Sequence, residues 1–150
     1  MTGARDQPGE PVRVLARRYA DAYEALAPDT IAALCALVAP DVRFRDPFSD
    51  FAGRERLAAV FRHMFEGLSQ PSFTVTDIAI GAQHAAYLRW DFTFFYRGRA
   101  FRIAGMSEVH FGADGLVSEH LDHWDSGSQV YLHVPVLGRI IAFIRRRLAG

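Results

Sequence analysis

The chain contains no lysine; all 17 of its basic residues are arginine. That absence removes a lysine Schiff base, and with it the usual pyridoxal phosphate enzymes and lysine-dependent aldolases. Cysteine is nearly absent too. Cys35 is alone, so no internal disulfide can form, which suits a reducing cytoplasm. It lies within the apolar run Ile31–Val38 and reads as a packing residue. There is no Gly-rich phosphate loop, no CxxC pair and no HExxH, so nucleotide, zinc-finger and zincin readings have nothing to stand on. No stretch of about 18 apolar residues occurs, and no transmembrane helix is expected. The opening MTGARDQPGEPV is polar and lacks the apolar segment of a secretory signal. Acidic and basic residues balance at 17 each, so no global field recruits nucleic acid, and none is expected as a partner.

What the chain does have is apolar bulk. Half of its 150 residues are hydrophobic and 13% are aromatic, 12 of them Phe, enough for one sizeable core. Residues 1–11 carry Gly, Pro and charge and are expected to be a flexible arm. From Val12 to Ala27, Leu15, Tyr19, Ala22 and Leu26 recur at helical spacing until Pro28 breaks the pattern. Asp29 or Thr30 then caps a second helix running to Val38, and VRFRD (Val42–Asp46) alternates like a short strand. Gly53 and Arg54 open a third helix with Leu57, Val60, Phe61, Met64, Phe65 and Leu68 on one side. After Ser72 the period changes to two. Phe73–Ile80, Ala85–Tyr96, Ala100–Phe111 and Leu116–Trp124 read as four strands joined by short hairpin links. Helices followed by an antiparallel meander predict an α+β fold with three N-terminal helices on the concave face of a strongly bent antiparallel sheet, and with Trp90 packed rather than lining a channel.

The last strand, LVSEHLDHWD, places His120, Asp122 and Trp124 on one face. A carboxylate on a half-buried face needs a partner. Thirty residues upstream, Arg89 and Asp91 share a face with Tyr87, while Leu88, Trp90, Phe92 and Phe94 point the other way. The expected site is therefore an Asp91–Arg89–Asp122 cluster assembled from two strands, in which unequal pairing leaves one carboxylic acid and one carboxylate. His120 is read as a general base or substrate hydrogen-bonder. A metal site from His120, Asp122 and His123 fails on alternation, since His123 points away. Residues 135–150 form a basic amphipathic helix, with Val136, Ile140 and Ile144 expected to be largely buried against the sheet or a second subunit. The other reading of this tail is contact with an anionic membrane surface.

The order helix, helix, strand, helix, four-strand meander, with RYADAY, ALVAPDVRFRDPF, AGRERL, VHFGADGLV and HLDHWD, resembles the nuclear transport factor 2-like superfamily over about residues 12–134. That superfamily includes ketosteroid isomerases, SnoaL-like polyketide cyclases and limonene epoxide hydrolases. The resemblance implies a cone-shaped fold around an apolar pocket, and commonly a homodimer through the sheet. Arg89, Asp91 and Asp122 match the Arg-x-Asp and second Asp of the epoxide hydrolases, with Phe44 where a water-holding residue stands. Tyr19 and the Asp46 that precedes Pro47 match two residues of the ketosteroid isomerases, with Ser107 where a protonated Asp is expected. The expectation is a cytoplasmic enzyme doing acid–base chemistry on a small hydrophobic molecule without metal or organic cofactor. Epoxide hydrolysis by Arg89, Asp91 and Asp122 comes first; a proton-shuttling isomerase or cyclase using Asp46 and Tyr19 is the alternative. A non-catalytic carrier of a lipid-like ligand is the third reading. His120, Trp124, Phe44, Tyr87 and Ser107 are assigned to substrate binding.

Overall fold

The computed structural model describes residues 11–133 and 137–148. Helix α1 (Val12–Glu24) starts after Pro11, whose carbonyl accepts the first turn's amides, and buries Leu15, Ala16, Tyr19 and Ala20 on one stripe. The short α2 (Ile31–Cys35) buries Ile31, Leu34 and Cys35. It ends earlier than expected because Val38 already belongs to strand β1 (Val38–Arg45), which continues through Pro40. A turn closed by Asp46 leads to β2 (Asp50–Ala52), and Gly53, at φ 110°, opens α3 (Arg54–Gly67). The Arg54 guanidinium donates to the Val38 carbonyl and so ties α3 to β1.

Four long strands follow: β3 (Ser69–Ile80), β4 (Ala85–Tyr96), β5 (Arg99–Phe111) and β6 (Val117–His123). Arg97 and Gly98, both at positive φ, make the two-residue β4–β5 turn. The sheet has six strands in the order β2-β1-β6-β5-β4-β3 and is curved and unclosed. Register shifts in β3, between Ser69 and Ser72 and between Val75 and Asp77, supply local bends. The Val75 amide at the second shift donates to the Glu24 carboxylate, anchoring the end of α1 to this edge strand.

The meander is antiparallel as expected, but the sheet as a whole is mixed: β1 runs parallel to β6. Strand alternation carries no information on direction, so this pairing lay outside what the pattern could indicate. The core forms where the helices meet the inner face, around Tyr19, Leu34, Val38, Val42, Leu57, Val109 and Val117, all fully buried. Beyond β6 come α4 (Ser126–Gln129), a 3-10 turn at Tyr131–His133 and α5 (Leu137–Leu148). Gln129 bonds both the amide and the carbonyl of Ala104, taking the place of a strand partner where β6 has ended. Within this chain Ile140 and Ile144 are exposed, at 51% and 47% of their surface, so they are not buried against its own sheet. Val136 lies outside the described residues. No helix among the described residues is long and apolar enough to cross a membrane.

Candidate active site

Each strand of the meander turns one alternating set of residues toward the helices. On β4 that set is Leu88, Trp90, Phe92 and Phe94, and on β5 it includes Ile103 and Ser107. With residues from α1, α3, β1 and β3 they enclose a cavity of about 380 Å³, almost wholly apolar. Trp90 is buried, with 8% of its surface exposed, yet it lines this cavity, which corrects the expectation of a purely packed indole. It fits because Gly105 lies directly across the β4–β5 ladder; a Cβ there would sit 2.5 and 2.6 Å from two atoms of the indole's six-membered ring.

Into this apolar cavity projects one chain of polar groups. The Trp90 Nε1–H donates to Ser107 Oγ at 2.8 Å, and the Ser107 hydroxyl donates to Asp122 Oδ1 at 2.5 Å. His120 Nε2 lies 2.7 Å from the same oxygen, and His120 Nδ1 lies 2.9 Å from the Tyr19 hydroxyl. The Tyr23 hydroxyl is 3.5 Å beyond that. The indole can only donate, so Ser107 accepts from it and turns its own proton to Asp122. With Asp122 as a carboxylate, which can only accept, His120 carries its proton on Nε2 and accepts from Tyr19 on Nδ1. Asp122 Oδ2 receives no hydrogen bond from the described residues and is the oxygen left for a ligand.

The fold positions this chain through two registers. Asp122 faces Ser107 across the antiparallel β5–β6 ladder, and Phe44 faces His120 across the parallel β1–β6 ladder. The Phe44 ring stacks on the imidazole at 4.9 Å, leaving His120 only 3% exposed. Tyr19 and Tyr23, one helical turn apart on α1, pack against the same imidazole. Burial pushes both phenols above their ordinary pKa, with the Asp122 charge adding to it, so both stay protonated.

Of the residues read from the sequence, Tyr19, Phe44, Asp46, Ser107, His120, Asp122 and Trp124 all line the cavity. Asp46 commits Oδ1 to the amides of Phe48 and Ser49, closing its own turn. The expected Asp91–Arg89–Asp122 cluster does not assemble. Arg89, Asp91 and Tyr87 occupy the other alternating set of β4 and face the outer side of the sheet. There Asp91 pairs with Arg102 at 2.7 Å, and Tyr87 packs over Gly81. The physical reason is a choice of faces: on β4 the aromatic set lines the apolar cavity, and the charged set stays near water. His123 points outward as alternation required, 3.5 Å from Glu108. Tyr23 and Trp90 went unassigned, although the i, i+4 spacing of RYADAY and the aromatic frame of β4 both marked them.

A curved sheet wrapped by helices around an apolar cavity is the architecture of the nuclear transport factor 2-like superfamily, to which this fold belongs. Within it the chain belongs to the SnoaL-like domain family, which matches residues 16–120. A Kribbella flavida protein described as a candidate ketosteroid isomerase is 25% identical, with a TM-score of 0.61 over 78% of this chain and 79% of its own. A candidate SnoaL-like polyketide cyclase from Shewanella putrefaciens is 16% identical, with a TM-score of 0.65 over 82% and 98%. An NTF2-like protein of unknown function from Exiguobacterium is also 16% identical, with a TM-score of 0.66 over 74% and 98%. No functionally curated protein matches the sequence.

Proposed function

We propose that the chain is an acid–base enzyme of the isomerase or cyclase kind, acting on a small apolar carbonyl compound, with Asp122 as the base. The observation that carries this reading is a carboxylate inside an apolar cavity with one oxygen held by Ser107 and His120 and the other left for a ligand. Asp122 Oδ2 removes a proton from the carbon beside the carbonyl, and the electron pair of that C–H bond moves onto the carbonyl oxygen. Tyr23, kept protonated by burial, supplies its hydroxyl to that enolate, while the Tyr19 hydroxyl stays on His120. In an isomerisation Asp122 returns the proton to another carbon. In a cyclisation the enolate carbon attacks a second carbonyl of the same molecule, whose oxygen takes the proton. His120 and Ser107 act by positioning the carboxylate.

Epoxide hydrolysis has lost its basis: no arginine lines the cavity among the described residues, and Asp91 lies outside it. The almost wholly apolar lining suits the carrier reading, which shares the cavity and differs only in lacking turnover. An apolar cyclic ketone incubated with the protein in D₂O separates the two by NMR. Deuterium should enter the α-positions, and Asp122→Asn should slow this by about 10²-fold or more, while Asp46→Asn retains it. Tight ligand retention without exchange establishes the carrier instead, and full exchange by Asp122→Asn overturns the assignment of the base. The resemblance also supports a homodimer through the outer face of the sheet, which sedimentation analysis tests directly.

A further inference from the structure

Helix α5 has the sequence LGRIIAFIRRRL, with four arginines and no acidic residue. In most amphipathic helices of a folded domain the large apolar stripe faces the core. Among the described side chains of α5, large apolar residues face outward instead. Gly138 is buried and Ala142 half-buried, four residues apart on one side, whereas Ile140 and Ile144, four apart on another, are exposed. The helix lies against the turn at Tyr131–His133 and leaves Ile140 and Ile144 outward, with Arg139 and Arg146 exposed beside them.

We propose that α5 docks this protein on an anionic membrane surface, lying in the interface with Ile140 and Ile144 among the acyl chains and the arginines at the headgroups. An apolar stripe bordered by arginine is the pattern such helices require. Charge decides between this occupant and a second copy of the chain. Two copies paired through this stripe would bring their arginines together with no carboxylate on either helix to offset them. Anionic lipid offsets them directly. The location suits an apolar ligand. The turn before α5 holds Tyr131, which packs against Phe48, a cavity-lining residue with 56% of its surface exposed. The helix therefore adjoins a turn that touches the cavity's lining. Docking through α5 does not depend on Asp122 being a base.

The test is co-sedimentation of the full chain with vesicles. Binding should occur with phosphatidylcholine and phosphatidylserine mixed at about three to one, fall as salt is raised, and be absent with phosphatidylcholine alone. Replacing both Ile140→Ser and Ile144→Ser should weaken the partition about a hundredfold, taking about tenfold for each half-exposed isoleucine. Arg139→Gln with Arg146→Gln should weaken it about thirtyfold. Both pairs are exposed, and circular dichroism should show the native fold retained. Failure of the folded protein to bind anionic vesicles, or unchanged binding by the isoleucine pair, overturns the proposal. So does a solution dimer that the isoleucine pair converts to monomer, since the stripe would then belong to a self-interface.

Discussion

Gly105→Ala tests how the polar chain is held. The backbone at Gly105 is ordinary strand, so alanine meets no φ penalty, and the chain would gain about 0.4–1 kcal/mol from a stiffer unfolded state. Against that stands the added methyl, which would lie 2.5 and 2.6 Å from Trp90 ring atoms and 3.0 Å from the Trp124 Cβ. Real Cβ atoms do not approach that closely, so the buried indole must move. Overpacking of this kind costs about 1–3 kcal/mol. Moving the indole also stretches the 2.8 Å bond to Ser107, adding about 1 kcal/mol. The net is about 2 kcal/mol, or about 4–8 °C in Tm for a chain of this size. Urea denaturation of four proteins closes the cycle: the natural chain, Gly105→Ala, Trp90→Phe and the double variant. Trp90→Phe removes the two atoms the new methyl would strike, so Gly105→Ala should become nearly neutral in that background. A coupling of about 2 kcal/mol is the expected outcome. If the alanine costs the same in both backgrounds, Gly105 does not serve to seat the indole.

Tyr19→Phe deletes the hydroxyl that His120 Nδ1 accepts; it should lower stability by about 1–2 kcal/mol in denaturation and reduce α-proton exchange without abolishing it. Asp91→Asn and Arg102→Gln break an outer-face pair that is well exposed on the arginine side, so both should leave exchange rates unchanged; a loss comparable to that of Asp122→Asn would mean the outer face takes part in the chemistry. The Glu108 carboxyl is held below its ordinary pKa chiefly by its hydrogen bond to His110, with His123 adding to it. A depressed carboxyl stabilises the fold above its unfolded pKa and loses that contribution as pH falls through the folded value, so Glu108→Gln should lower stability near neutrality and flatten the acid limb of a stability–pH curve, the two proteins converging at low pH.

Most of the fold was legible because two periods divide the chain. Helical spacing before Ser72 and alternation after it placed α1, α3 and the meander; the expected and observed limits of β4 coincide at Ala85–Tyr96. The departures cluster around Val38–Ala52. Pro40 is an ordinary helix stop, yet here it sits inside β1, at the stretch where the β1–β6 ladder shifts register between Val38 and Arg43. Nothing local marks that strand as parallel to one that begins some eighty residues later. The tail shows a different limit. Its amphipathic pattern was plain, but such spacing says only that a helix has two unlike faces. In the structure Gly138 is buried while Ile140 and Ile144 are exposed, an orientation the spacing alone does not determine.

The candidate site was legible by halves, and the halves differ for one reason. Strand β6 offered His120 and Asp122 on a shared face, and both do face the cavity. Strand β4 offered two faces of opposite character, and grouping by charge selected the wrong one. A cavity that holds an apolar molecule must itself be apolar, so on a strand with one aromatic and one charged face the aromatic face turns inward. Each carboxylate brought inside must then have its donors there. Asp122 has them, because Ser107 lies opposite it in register and His120 lies two residues before it. Asp91 has no such partner on the inner side of β5. Its register neighbour is Ala104, and its cation, Arg102, shares the outer face. An Asp91 turned inward would be a second buried carboxylate beside Asp122, carried into a low-dielectric space among Phe92 and Phe94 with its guanidinium left behind. The requirement that buried charge be satisfied locally therefore admits Asp122 and refuses Asp91, although the two look alike in sequence.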